Sequence, residues 1–207
     1  MSLHDKIIGR LGFGAAPLGN MFREISEEEA VATVQAAWDQ GIRYFDTAPI
    51  YGAGLSEQRL GKALANVPRD QYTLSTKIGR LISDELDPHA RSGPFSDGLK
   101  NKIVTDYSAD ATLRSIAASL ERLNTDRLDI VFVHDVAQDA HGDEWIEHFN
   151  IARTGAFRTL TRLREEGVIK AWGLGVNRVE PCELTLDLTE AQPDGFLLAG
   201  RYSLLDH

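Results

Sequence analysis

Four ionisable side chains, Asp46, Tyr51, Lys77 and His134, follow one another along the chain in an order that suits proton transfer. A phenol has an ordinary pKa of about 10 and is a poor base at neutral pH. An ammonium a few ångströms away favours the phenolate and lowers that value, and Lys77 can supply one. A carboxylate such as Asp46 keeps a partly desolvated lysine charged and orients it. A neutral imidazole, His134, can exchange a hydrogen bond with a substrate oxygen and fix its direction. Tyr51 is then the group that moves the proton. Singly, each residue has an ordinary reading: a turn former, a half-buried aromatic, a solvated charge, a satisfied core histidine. Their shared position near strand ends gives the set its weight.

Those strand ends come from an alternating pattern. Short apolar runs rich in β-branched and aromatic residues lie at Leu11 to Ala16, Ile42 to Asp46, Tyr72 to Lys77, Leu128 to His134, Ile169 to Val176 and Phe196 to Tyr202. Helix-period stretches separate them. Ser26 and Glu29 form a capping box before a stripe of Ala30, Val31, Val34, Ala37 and Trp38, and Gly41 stands where a left-handed C-terminal cap belongs. Ser108 caps a second helix, Thr154 to Glu166 ends at Gly167, and Pro181 suits the first turn of a shorter one. Trp145 reads as helix packing, and His141 and His148 as solvated residues of a polar region. Strand then helix, repeated, implies parallel strands joined by right-handed crossovers, hence an α/β protein.

An open dinucleotide-binding sheet and a closed (β/α)8 barrel both fit that class. The fingerprint of the former fails in GFGAAP, where Pro17 occupies the place of the third glycine. A barrel gathers functional residues from the carboxyl ends of many strands, and Asp46, Lys77, His134 and Asn177 have that distribution. The expected architecture is a single, partial (β/α)8 barrel domain over 1–207, with two βα units fewer than the full barrel. A long structureless loop at 80–107 is expected to overhang its active face.

Composition excludes other classes. The net charge of −9 over 207 residues argues against nucleic-acid or anionic-membrane binding, both of which need a basic field. No apolar run is long enough to span a bilayer. The lone Cys182 cannot form an internal disulfide, and the start MSLHDKIIGR lacks a signal-peptide core, so the expectation is a soluble cytoplasmic protein. A homo-oligomer stays open.

The segments YFDTAPIYG, LSTKIG, LDIVFVHD and GLGVN resemble, in order and spacing, those of the aldo-keto reductase family of (β/α)8 oxidoreductases. The resemblance covers essentially the whole chain. The PLGN turn, the TDYSAD segment and LLAGRYSLLDH are most similar to its branch of sugar and pyridoxal dehydrogenases, that of D-threo-aldose 1-dehydrogenase and pyridoxal 4-dehydrogenase. It implies an NAD(P)-dependent oxidoreductase that moves hydride between nicotinamide and a small sugar, alcohol or aldehyde. Tyr51 would be acid/base, Lys77 and Asp46 its tuners, His134 the substrate orienter and Asn177 the holder of the nicotinamide carboxamide. Gly19 and Asn20 would approach the cofactor, for which the acidic surface favours NAD over NADP. Ala199 stands where many members have a glutamine that assists Asn177.

Two rival readings stand beside this one. The first is a non-catalytic relative that keeps the four residues without holding cofactor. The second is a metal-dependent barrel hydrolase with Asp46, His134 and Asp135 as ligands. No closely spaced ligand pair supports the second, and no metal site is expected.

Overall fold

The computed structural model describes residues 3–86, 94–95, 98–200 and 204. Six strands form one parallel sheet: β1 (Phe13–Gly14), β2 (Tyr44–Asp46), β3 (Thr73–Ile78), β6 (Ile130–His134), β7 (Ala171–Val176) and β8 (Gly195–Leu198), in the spatial order β1-β2-β3-β6-β7-β8. Each expected run overlaps one of them, although the first is reduced to two residues, β3 runs on to Ile78, β8 begins at Gly195, and Arg201 and Tyr202 of the last run lie outside the described residues. The helices are α1 (Glu27–Asp39), α2 (Leu55–Leu64), α3 (Ala109–Arg122), α4 (Gln138–His141), α5 (Trp145–Ala152), α6 (Arg158–Glu165) and α7 (Glu180–Leu186). This is the βα order of a (β/α)8 barrel, and β6 reads as a near-continuous apolar run because both its faces are covered.

The two faces differ in kind. Phe45, Leu74, Val131, Trp172 and Leu174 point outward into the main core, against Ala30 and Val34 of α1, Leu60 and Leu64 of α2 and Leu160 of α6. Ile130, Phe132 and Ala171 point inward and pack with Tyr44, Leu197 and Leu3. Two carboxylates tie down the amino ends of the strands. Asp129 accepts from Leu74 N at 2.9 Å, Arg69 at 2.6 Å and Lys170 at 2.7 Å. Asp194 accepts from Trp172 N at 3.0 Å, Arg164 at 3.0 Å and Lys6 at 2.9 Å. Burial opposes both charges, yet these donors hold both carboxyls below their ordinary values.

Local signals act largely as read. Ser26 Oγ accepts from Glu29 N at 3.1 Å and Ser108 Oγ from Ala111 N at 3.2 Å, while Gly41 takes φ +88° after α1. The reciprocal half of the expected capping box does not form, since the Glu29 carboxylate pairs with Arg23. The helix expected at Thr154 to Glu166 is the second half of a longer one, as α5 runs through a π-helical turn at Arg153–Phe157 into α6. That turn leaves Ala156 N–H free to bond Tyr107 O at 3.0 Å.

The expectation of a structureless segment at 80–107 is wrong. β4 (Arg80–Leu86) and β5 (Asn101–Thr105) form an antiparallel pair beyond β3. Neither strand buries one face, so no apolar alternation marks them. A register shift between Ile82 and Leu86 blurs the pattern further.

Candidate active site

In the β2–β3 pairing Asp46 lies opposite Ser75, so Lys77, two residues on, shares their inward face. Lys77 Nζ donates to Asp46 Oδ2 at 2.6 Å and to Thr47 O at 2.8 Å, and is almost wholly buried. Ser75 Oγ donates to the other carboxylate oxygen, Asp46 Oδ1, at 2.5 Å. Tyr44 OH lies 3.0 Å from Ser75 Oγ. Because the serine proton is committed to Asp46, Tyr44 is the donor in that contact. Burial disfavours the ammonium, but the charge of Asp46, the neighbouring Tyr51 and the hydrogen bonds outweigh it, so Lys77 sits above the ordinary lysine value.

Tyr51 lies on the connection between β2 and α2. That loop is held by Ser56 Oγ, which donates to Ala15 O at 2.6 Å and meets Thr47 Oγ1 at 2.9 Å. Lys77 Nζ is 4.8 Å from the centre of the Tyr51 ring, and the His134 ring meets it edge-on at 5.8 Å and 84°. The four residues named from the sequence therefore share one site. Its electrostatics differ from the expectation in one respect. Burial raises the Tyr51 pKa and is the largest influence; the Lys77 charge lowers it, while the charges of Asp46 and Asp135 raise it, and the net direction is upward. Tyr51 is a neutral phenol at neutral pH.

His134 ends β6. Burial, then the charges of Lys77 and Arg80, drive its pKa well below the ordinary value, so the imidazole is neutral. Its Nε2 is 3.7 Å from Asp135 Oδ1, and its buried Nδ1 has no hydrogen-bond partner. Burial likewise raises the carboxyl of Asp135 against the opposing charge of Arg80.

The three residues linked to cofactor by resemblance are placed differently. Asn177, exposed just beyond β7, donates to Asp139 Oδ2 at 3.0 Å. Asn20 is buried with φ +67°, and its Oδ1 accepts from Arg59 at 2.8 Å and Ile25 N at 3.2 Å. Gly19 packs on the Tyr51 loop: a Cβ there would lie 2.5 Å from Tyr51 C. Gly19 thus lets the turn after β1 pack against the Tyr51 loop, while Asn20 ties that turn to Arg59 and Ile25.

Several participants had no sequence assignment. Ser75 could have been found, because it lies two residues before Lys77 on the same face. Phe95, stacked on Tyr51 at 5.5 Å, and Tyr107, whose OH donates to His134 O at 2.7 Å, carried no local signal. The reading of His141 and His148 as solvated is corrected: their rings lie 4.1 Å apart against Tyr107, and Tyr107 OH is 2.9 Å from His141 Nε2. Burial, then the charge of Arg80, pushes His141 down to about 4. Trp145 packs on the core beside Phe149, as expected. Among the described residues no three His, Cys, Asp or Glu side chains gather to hold a metal ion, and no helix is long and apolar enough to cross a membrane.

Comparison with known proteins bears on this geometry. The model of the aldo/keto reductase family matches residues 10–207. Pyridoxal 4-dehydrogenase of Microbacterium luteolum is 43% identical over 95% of the chain, and D-threo-aldose 1-dehydrogenase of a Pseudomonas species 41% identical over 96%. The chain spans 59% of the length of each. Among solved structures, an aldo-keto reductase from Bacillus halodurans in its holo form superposes with a TM-score of 0.57 at 31% identity, covering 85% of this chain and 49% of that one. Glycerol dehydrogenase from Gluconobacter oxydans gives 0.60 at 25% identity, covering 84% and 46%. On the family match, the relatives and the shared barrel topology together, the chain belongs to the aldo/keto reductase family.

Proposed function

We propose that this chain carries the proton-transfer centre of an NAD(P)-dependent oxidoreductase acting on a small sugar, alcohol or aldehyde. The observation that carries the reading is the buried Lys77–Asp46 pair, 2.6 Å apart, set beside the Tyr51 ring with neutral His134 against its edge. Desolvating both charges of such a pair is costly, and this one lies on the inward face of the sheet, away from the helices. Next to a phenol it has a chemical use.

The residues suit the reactive end of a nicotinamide dinucleotide. His134 Nδ1 is buried with no partner, and the Asn177 carboxamide stands exposed at the end of the adjacent strand. Nicotinamide, when bound, supplies or removes the hydride. Tyr51, protonated at rest, gives its proton to the substrate oxygen in the reducing direction and must recover it in the reverse one. Lys77 stabilises the phenolate left behind, Asp46 keeps Lys77 charged, and His134 orients the oxygen. Asn177 would exchange Asp139 for the carboxamide. Gly19 and Asn20 would serve by shaping the loop beside the cofactor. The named activities of the two relatives, on pyridoxal and on D-threo-aldose, support a small polar carbonyl or its alcohol as substrate. The charge of −9 supports NAD before the more anionic NADP. The cytoplasm is the compartment proposed.

Titration of the purified chain with NADH and NADPH, followed by nucleotide fluorescence, tests the reading, with turnover on aldoses and pyridoxal as the second step. Saturable binding is expected. Tyr51→Phe should lower kcat/KM on the order of 10²- to 10⁴-fold. A chain that binds neither nucleotide, or a Tyr51→Phe variant with full turnover, would defeat the proposal.

A further inference from the structure

The hairpin insert returns to the site around Phe95. Phe95 pairs in an antiparallel bridge with Met21, and Phe22 N donates to Pro94 O at 3.0 Å. A few residues later Leu99 N donates to Gly52 O at 2.9 Å. Between these ties the Phe95 ring, 8% exposed, stacks on Tyr51 with centroids 5.5 Å apart and planes 29° apart. The insert is thus fastened both to the turn after β1 and to the loop that carries Tyr51.

Three glycine backbones make that fastening close. A Cβ on Gly19 would lie 2.8 Å from Gly52 N, one on Gly52 would lie 2.6 Å from Gly19 O, and one on Gly98 would lie 2.6 Å from the Gly52 backbone. The backbones of Gly19, Gly52 and Gly98 stack without side chains between them. The last carries the insert onto the Tyr51 loop, where any other residue would hold it off.

We propose that Phe95 is a positioning residue for Tyr51: clamped by the Gly19–Gly52–Gly98 stack, it covers the phenol ring, excludes water from it and fixes the direction of its hydroxyl. The proposal rests on reading Tyr51 as the proton-transfer group. It deepens that reading by assigning a part of the insert to the site. The Phe95 ring meets the Tyr51 ring, and its influence passes through that ring.

The test observes Tyr51 directly and needs no cofactor. The chain is labelled at the tyrosine ζ-carbon, Tyr51 is assigned by its loss in Tyr51→Phe, and the resonance is followed by NMR to strongly alkaline pH. Phe95→Ala opens the ring to water and should increase the phenolate fraction at a fixed alkaline pH on the order of tenfold. Gly98→Ala, which holds the insert off without altering either ring, should move it the same way. Phe95→Leu, which keeps an apolar cover, should retain most of the parent behaviour. Unchanged Tyr51 titration in Phe95→Ala and Gly98→Ala, with the amide spectrum of the strands intact, would overturn the proposal. Should Phe95→Ala lose the fold, Gly98→Ala decides alone: a shift supports the proposal and no shift overturns it. Because nucleotide is absent throughout, a chain that fails to bind NADH still reveals whether Phe95 controls the phenol. An active enzyme with an unmoved Tyr51 defeats the role of Phe95 alone.

Discussion

Replacing Lys77 by methionine keeps the aliphatic stem and removes one charge from the buried network. The ammonium makes two bonds, to Asp46 at 2.6 Å and to Thr47 O at 2.8 Å, with its side chain only 2% exposed. Without it Asp46 keeps the Ser75 donor but loses its countercharge, and a buried ion stripped of its partner costs about 3–5 kcal/mol. Against an m-value of about 2.5 kcal/mol/M in urea, that is a fall of about 1.5 M in the midpoint. The double variant Lys77→Met/Asp46→Asn, which strands no charge, should recover much of the loss. Tyr51 supplies the second readout: the Lys77 charge opposes its upward shift, so the phenol should ionise at still higher pH in the single variant. Equilibrium urea unfolding and tyrosine NMR measure the two effects. A Lys77→Met protein within about 0.5 kcal/mol of the parent, the size of a neutral surface change, would refute the claim that Lys77 is locked between Asp46 and Thr47.

Other perturbations probe the surrounding frame. Glu57, fully buried on α2, accepts from Thr76 Oγ1 at 2.6 Å and from Arg122 Nε at 2.6 Å. Glu57→Ala should cost about 3–5 kcal/mol by chemical denaturation, and Glu57→Gln, which can still accept from Thr76, should cost less. Tyr107→Phe removes the donor to His134 O at 2.7 Å and should cost about 1–3 kcal/mol, with chemical-shift changes concentrated at His134 and His141. His134 and His141 both titrate below the ordinary 6.5 in the folded chain, so the unfolded chain binds more protons just below that pH. Stability should decline as the pH falls from 6.5 towards about 4, where His141 itself becomes charged, and His134 extends the loss further. Urea midpoints across that range would show it, and a flat profile would contradict the burial of these rings.

The legible parts of this chain were those whose cause is local or periodic. LDIVFV reads as a strand covered on both faces because each of its inward and outward residues meets protein, and Ser26 caps a helix because its hydroxyl needs only the amide three residues on. Asp46, Lys77 and His134 announced themselves as ionisable groups at the ends of apolar runs. The hairpin did not, because residues such as Leu86 and Val104 are exposed and the strands lack a buried face. Phe95 and the His141–Tyr107 contact arise from segments far apart in sequence. The net direction of the Tyr51 shift was illegible for another reason: it is a contest between burial and the Lys77 charge, and the extent of burial depends on how Phe95 closes over the ring.

The alternation of side chains along the strands separates stability from chemistry. On β3 the inward residues Ser75 and Lys77 carry the charge network, while Leu74, Thr76 and Ile78 face the helices; Thr76 binds Glu57 on α2 at 2.6 Å. A slip of one residue in the β2–β3 register would turn Thr76 towards Asp46 and bury Lys77 against the helical layer, where Glu57 is already paired with Arg122. The outer face therefore fixes the register on which the inner face depends. Leu74 and Ile78 pack against the helices, and the observed register, not its one-residue slip, brings an ammonium to Asp46, so apolar exchanges at those outer positions should change stability while leaving the Lys77–Asp46 bond and the Tyr51 titration in place. Inward substitutions at Ser75 should do the reverse, disturbing Asp46 with little loss of core packing.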